Sequence, residues 1–255
     1  MDLGIRGKVA LVTGASSGIG EAVALALAGE GVRLAVSARR LDRLEEVARR
    51  AREAGAADAR AFTAEQTDAA SLRTLTSAVE RDVGPVDILV VNGGGPKPGA
   101  FTQIEEPDWD AAYALTLQSA LRLVRGVLPG MRQRKWGRIV ALESITVKQP
   151  LPNMVLSNAL RASVAAAFKT LAGEVAAEGI TVNTIATGLV ETDRFRALYD
   201  TPAKTAAALA AIPMKRVATP AEYAPLVVFL CGEPASYLTG QTISIDGGRT
   251  AGLFG

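Results

Sequence analysis

The chain has 255 residues, 49% of them hydrophobic, with 28 basic side chains against 26 acidic ones. That is enough apolar material for a sizeable core, and the near balance of charge gives no electrostatic reason to expect nucleic acid or an anionic membrane as partner. The sequence contains no histidine, which removes the commonest general base, the Ser-His-Asp triad and most catalytic zinc sites together, so no metal site is expected. The start, Met1-Asp2-Leu3-Gly4, has neither a basic segment nor an apolar one and predicts no signal peptide. No apolar stretch reaches the roughly 18 residues that suggest a membrane span. The single cysteine, Cys231, lies in an apolar run and predicts a buried thiol in a reducing, cytoplasmic compartment.

In chain order, short apolar runs at 9–13, 33–37, 59–63, 88–91, 138–142, 181–185 and 242–245 predict strands. Most are apolar on consecutive positions, which suits strands covered on both faces in a parallel sheet. Helices are predicted between them near 18–30, 40–54, 68–83, 107–134, 153–178 and 220–231. This alternation predicts an α/β fold: a Rossmann-like, doubly wound parallel sheet of about seven strands with helices on both faces. No repeat or linker divides the chain, so residues 1–255 are expected to form one domain. Segment 192–218, with Pro202 and Pro213, predicts one or two short helices and a lid over the site. The basic run from Arg132 to Arg138 reads better as a solvated helix end than as a nucleic-acid patch.

The first strand runs into Thr13-Gly14-Ala15-Ser16-Ser17-Gly18-Ile19-Gly20, and a helix follows. Gly14 permits the sharp turn, Gly18 lets the backbone approach a pyrophosphate, and Gly20 lets the helix pack close to the strand. The helix N-terminus offers free N–H groups and a positive dipole end to phosphates. After a strand and before a helix, this pattern predicts dinucleotide binding through Gly14, Ser16, Ser17, Gly18, Ile19 and Gly20.

The spacing G-x-x-x-G-x-G, with its Thr-Gly start, resembles the short-chain dehydrogenase/reductase family. The resemblance extends to Asp87-Ile88-Leu89-Val90-Val91-Asn92-Gly93-Gly94, to Gly137-Arg138-Ile139-Val140, to Gly179-Ile180-Thr181-Val182-Asn183 and to the segment from Gly240 to Gly248. Motifs in register from residue 7 to residue 248 make the chain similar to 3-oxoacyl-acyl-carrier-protein reductases in particular. The resemblance implies that Glu65 and Gln66 flank the adenine and that Asn92 and Gly93 line the ribose. It implies that Gly188 and Thr192, in Thr187-Gly188-Leu189-Val190-Glu191-Thr192, hold the nicotinamide end, with Thr187 in place of a proline. It also implies a homodimer or homotetramer built on the long helices. From the residues themselves, the second strand ends at Ser37-Ala38-Arg39-Arg40, with no acidic side chain to accept a ribose hydroxyl before Asp42. Arg39 is placed to pair with a 2′-phosphate, which predicts NADP as cofactor.

The catalytic pattern breaks. The family uses Ser, then Tyr thirteen residues on, then Lys four residues later, with an Asn on an earlier helix. Here Ser144 keeps the serine, Ser157 stands for the Tyr, Arg161 for the Lys and Thr116 for the Asn. A serine hydroxyl is a far weaker acid than a phenol, and an arginine holds an oxyanion or a ribose but does not cycle a proton. Ser144, Ser157 and Arg161 are the catalytic candidates, and Arg161 is also a cofactor-binding one. Tyr199 on the expected lid and Glu143 beside Ser144 are further groups near the site, Glu143 facing either pocket or surface according to the pleat. Lys148 reads as a solvated loop lysine. Two functions follow as expectations. One is an NADP-dependent oxidoreductase acting on a small-molecule carbonyl or alcohol, such as a 3-oxoacyl thioester, with non-standard proton delivery. The other is a catalytically impaired NADP-binding protein that serves as a sensor or assembly subunit.

Overall fold

Strand pairing in the computed structural model, which describes residues 1–253, follows directly from the apolar runs. The strands are β1 (Val9–Thr13), β2 (Arg33–Ala38), β3 (Asp58–Thr63), β4 (Ile88–Val91), β5 (Gly137–Ser144), β6 (Ile180–Thr187) and β7 (Thr242–Ile245). All pair in parallel, in the order β3-β2-β1-β4-β5-β6-β7. Consecutive apolar residues are required because neighbours along a strand feed opposite cores. Ala10 and Val12 of β1, Leu34 and Val36 of β2, and Ile88 and Val90 of β4 enter one core. Val9, Leu11, Ala35, Leu89 and Val91 enter the other.

Among the described residues, nine α-helices cover the sheet. The first core is closed by α1 (Gly18–Gly29), α2 (Leu41–Glu53) and α9 (Pro220–Leu230). The second is closed by α3 (Ala69–Asp82), α5 (Ser119–Arg134) and α6 (Val155–Val175). Helix starts follow local chemistry. Asp68 accepts from the N–H groups of Ala70 and Ser71 to cap α3. Thr219 and Glu222 form a reciprocal capping box at α9, with Pro220 in the first turn. The segment 192–218 contains α7 (Asp193–Leu198) and α8 (Pro202–Ala210). Among the described residues, no helix is long and apolar enough to cross a membrane.

One predicted helix is divided. Residues 107–134 form α4 (Glu106–Tyr113), a π-helical turn over Ala114–Gln118, and then α5. The Ser119 hydroxyl donates back to the Leu115 carbonyl, a bond that competes with the regular ladder and bends a helix. Such π turns frequently occur at functional sites, and this one carries Thr116. Two strands run longer than their apolar cores predict. β5 and β6 continue in paired register to Ser144 and Thr187, so polar residues end both strands side by side.

The sheet order reverses between β1 and β4, and ligand crevices in such sheets open at the carboxyl ends flanking that point. At the opposite end, Asp87 ties the two strands to α5. Its carboxylate accepts from the Val9 N–H at 3.0 Å and from Arg134 Nε at 3.1 Å. Replacing Asp87 with Ala leaves a buried N–H without a partner, so Asp87→Ala is expected to cost about 2 kcal/mol; urea unfolding with an unchanged midpoint would contradict this. Cys231 is fully buried, and burial pushes its thiol up to about 12. A thiol reagent at pH 8 is therefore expected to label the protein only after denaturation, and stoichiometric labelling of the folded protein within minutes would contradict that account.

Candidate functional site

The crevice is built by interlocked hydrogen bonds. Thr13 Oγ1 donates to the Asn92 carbonyl at 2.8 Å and accepts from the Asn92 N–H at 3.0 Å, joining the ends of β1 and β4. The Asn92 amide donates to the Gly14 carbonyl at 3.1 Å. Gly14 has φ +59°, and a Cβ there would meet Asn92 Nδ2 at 2.7 Å and its carbonyl at 2.8 Å. A Cβ on Gly20 would collide with the Gly14 carbonyl, so α1 can approach β1 this closely only with glycine. Gln66 Nε2 also donates to the Asn92 carbonyl, at 2.8 Å. Asn92 is therefore the hub of the turn as well as part of its wall.

A cleft of about 520 Å³ opens over this hub. Its wall includes Gly14, Ser16, Ser17, Gly18 and Ile19 from the turn, Arg39 and Arg40 after β2, Glu65 and Gln66 after β3, Asn92 and Gly93 after β4, and Thr192 before α7. Gly20 lies behind the wall and Gly188 in the turn after β6, where a Cβ would meet Asp246 Cα at 2.5 Å. Ser17, at the start of α1, makes no side-chain capping bond among the described residues. The first-turn N–H groups of α1 are therefore left for a ligand. Arg40 Nη2 donates to Ser16 Oγ at 3.1 Å and Ser17 Oγ at 3.4 Å, so this arginine, as well as Arg39, stands beside the turn. Glu65 bonds to Thr67 through its carboxylate and remains exposed. The uncapped helix start, the arginines and the glycine-lined floor fit a phosphorylated dinucleotide.

Behind the cleft lies a cavity of about 20 Å³, bounded by Gly94, Leu115, Thr116, Glu143 and Arg161. Thr116 Oγ1 is buried there without a hydrogen-bond partner among the described residues. The pleat turns Glu143 inward: its carboxylate accepts from Arg161 Nη1 at 2.8 Å, and the two side chains are 4% and 12% exposed. Burial pushes the Glu143 carboxyl above the usual carboxylate range, and the Arg161 guanidinium opposes that shift. Arg161 Nη2 also donates to the Gly94 carbonyl at 3.4 Å.

Ser144 ends β5 half-buried next to Glu143, which bounds the smaller cavity; Ser144 itself lines neither cavity, and its Oγ accepts from the Thr146 N–H at 3.2 Å. The hydroxyl hydrogen remains available to another acceptor. Ser157, the catalytic candidate at the tyrosine position, is placed inside the packing. It is 3% exposed, its hydroxyl is 3.1 Å from that of Thr146, and it lines neither cavity. The shorter side chain stops inside the packing between α6 and the turn after β5. Tyr199 and Lys148 line neither cavity, and Tyr199 stacks on Phe195 at 5.0 Å.

Three contacts were not legible in the sequence. Tyr223 is fully buried with its hydroxyl 2.6 Å from Thr187 Oγ1. Burial holds its phenol protonated above the ordinary tyrosine range. That bond anchors the end of β6 where a proline would otherwise stiffen it. Arg40 bridges the serines of the turn, and Arg194 enters the cleft wall from α7. None of these carries a spacing signal.

A family model described as Enoyl-(Acyl carrier protein) reductase matches residues 14–250. Nodulation protein G of Azospirillum brasilense is 36% identical over 243 residues, covering 94% of this chain and 97% of that protein. The 3-oxoacyl-[acyl-carrier-protein] reductase FabG of Vibrio cholerae is 35% identical over 246 residues, covering 96% and 98%. The crystal structure of L-sorbose reductase from Gluconobacter frateurii, complexed with NADPH and L-sorbose, superposes with a TM-score of 0.92 at 35% identity, covering 99% of this chain and 100% of that one. With the parallel sheet, the glycine turn and these relatives in agreement over nearly the whole length, the chain belongs to the short-chain dehydrogenase/reductase family.

Proposed function

We propose that the chain is an NADP-dependent oxidoreductase that interconverts a small carbonyl compound and its alcohol, with water rather than a side-chain phenol as proton source. The observation that carries this reading is the cleft wall: an uncapped α1 start faces Arg39 and Arg40, with no acidic side chain between Ser37 and Asp42. The turn and the α1 start bind the pyrophosphate through backbone N–H groups, and the arginines take the 2′-phosphate. Glu65, Gln66, Asn92 and Gly93 bound the adenine and ribose, while Gly188 and Thr192 hold the nicotinamide end.

When bound, the reduced cofactor supplies a hydride. Ser144 donates its free hydroxyl hydrogen to the substrate oxygen and orients it. Arg161, fixed by Glu143, contributes a permanent positive charge where negative charge develops on that oxygen. Negative charge would develop on the substrate oxygen when a bound reduced cofactor reduced the carbonyl. That oxygen takes a proton from water, and the hydroxide is neutralised by solvent. Arg161 cannot provide that proton, because a guanidinium does not deprotonate in the working pH range. The outer faces of α5 and α6 are where a dimer or tetramer would form.

The burial of Ser157 favours one rival, a nucleotide-binding protein without turnover. NADPH fluorescence followed by a carbonyl panel separates the two. Tight binding with no turnover across the panel selects the rival, whereas turnover that collapses in Ser144→Ala selects the oxidoreductase. Ser144→Ala is expected to lower kcat on the order of 100-fold, while Ser157→Ala stays within about threefold because that hydroxyl only bonds Thr146. Equal losses in both variants would refute the assignment. Arg39→Ala is expected to raise the NADPH Kd on the order of 10- to 100-fold while barely changing that of NADH. Equal weakening of both cofactors would exclude the 2′-phosphate role.

A further inference from the structure

Arg194 lines the cleft beside the glycine strip that also bounds the smaller cavity. Its Nη1 donates to the Gly95 carbonyl at 3.3 Å and its Nη2 to the Pro96 carbonyl at 3.2 Å. One residue back, the Gly94 carbonyl accepts from Arg161 Nη2. Two guanidinium groups thus bracket a single glycine strip, and Leu115, which bounds both spaces, lies beside them. A Cβ on Gly95 would collide with the Arg194 guanidinium, so glycine at 95 is the condition for that side chain to lie flat on the strip.

The charges do not balance. Arg161 is matched by the buried Glu143. Among the described residues, Arg194 bonds only carbonyl oxygens through its guanidinium, and the acid next to it in sequence, Asp193, is paired with Arg196 at 2.8 Å. Desolvation and repulsion from Arg161 hold the Arg194 guanidinium below its ordinary range, so an anion placed between the two arginines is favoured by both. Arg194 lines the same cleft as Arg39 and Arg40, two residues beyond Thr192.

We propose that Arg194, with Arg161 behind it, is a specificity-determining anion site that holds a carboxylate of the substrate, so that the chain acts on carbonyl compounds bearing a free carboxylate. The carboxylate takes the planar fork of Arg194 on the open side of the strip, and its ketone then lies toward Ser144 and the nicotinamide end. This deepens the oxidoreductase reading and rests on it.

The test compares free keto acids with their methyl esters, using the NADPH-loaded protein and Arg194→Met. Wild type is expected to prefer acids by at least about 10-fold in kcat/KM, and Arg194→Met to lower the acid-to-ester ratio about 100-fold, chiefly through KM. Gly95→Ala, which displaces the guanidinium without removing it, is expected to shift the ratio in the same direction, and Arg194→Lys to restore part of it. An unchanged ratio overturns the proposal. So does an NADPH Kd that rises in step with the loss of activity, because the arginine then serves the cofactor's pyrophosphate. If no compound is turned over, the oxidoreductase reading fails by itself. Calorimetric titration of the NADPH-loaded protein with the corresponding 2-hydroxy acids then decides the anion site. Binding that is lost in Arg194→Met supports it, and no binding to wild type overturns it.

Discussion

Thr13 and Asn92 lock the carboxyl ends of the two strands between which the sheet reverses its order. One hydroxyl serves as donor and acceptor to one residue, at 2.8 and 3.0 Å, and the Asn92 amide then holds the Gly14 carbonyl. That arrangement leaves no room for a side chain at Gly14 or Gly20. It therefore fixes the turn, the approach of α1 and the direction of its free N–H groups in one step. The polar groups consumed are the ones that would otherwise be stranded at the mouth of a buried parallel sheet. Fold and binding site are held by the same few bonds, which is why a short glycine pattern predicts both.

What was legible in the sequence is what local chemistry encodes. Strand runs apolar at every position report two covered faces, and the alternation of Ala10 and Val12 against Val9 and Leu11 between two cores is the physical basis. The absence of an acid after Ser37 was likewise readable, since that position is set by the strand end. The remainder depends on distance in sequence. Glu143 meets Arg161 across 18 residues, Tyr223 meets Thr187 across 36, and Arg194 meets Gly95 across 99. None of these pairs has a periodicity to betray it. The pleat of Glu143 could be read either way until β5 was seen to continue to Ser144 in register with Thr187. The break at Thr116 was missed for a related reason, because Ser119 bonds back to Leu115 inside a stretch whose apolar pattern is still helical.

The substitutions at the catalytic positions form a coherent set. A lysine that tunes a phenol has a purpose only if the phenol is present, and here a buried serine replaces it. The cation that remains is arginine, whose charge is permanent and whose fork is held by a buried carboxylate 2.8 Å away. Burying that pair is costly unless both partners are well satisfied, and a buried pair is weak evidence of added stability. Its role is better sought in placement: Glu143 keeps the Arg161 guanidinium against the Gly94 carbonyl instead of letting it extend into solvent. In the proposed mechanism, orientation of a fixed charge stands in for modulation of a movable proton.

That replacement shifts where specificity resides. With Arg161 neutralised by Glu143, the uncompensated charge beside the glycine strip belongs to Arg194, which is seated on the Gly95 and Pro96 carbonyls from the opposite wall. The three consecutive glycines at 93–95 are otherwise hard to explain, since each costs backbone entropy in folding. The missing Cβ at Gly95 makes room for the Arg194 guanidinium, and the one at Gly93 for the Gln66 amide. Under the proposed water-delivered protonation, the site gains most from substrates whose developing negative charge it can hold. In the proposed mechanism Arg194, seated on the strip without a carboxylate partner among the described residues, supplies that capacity.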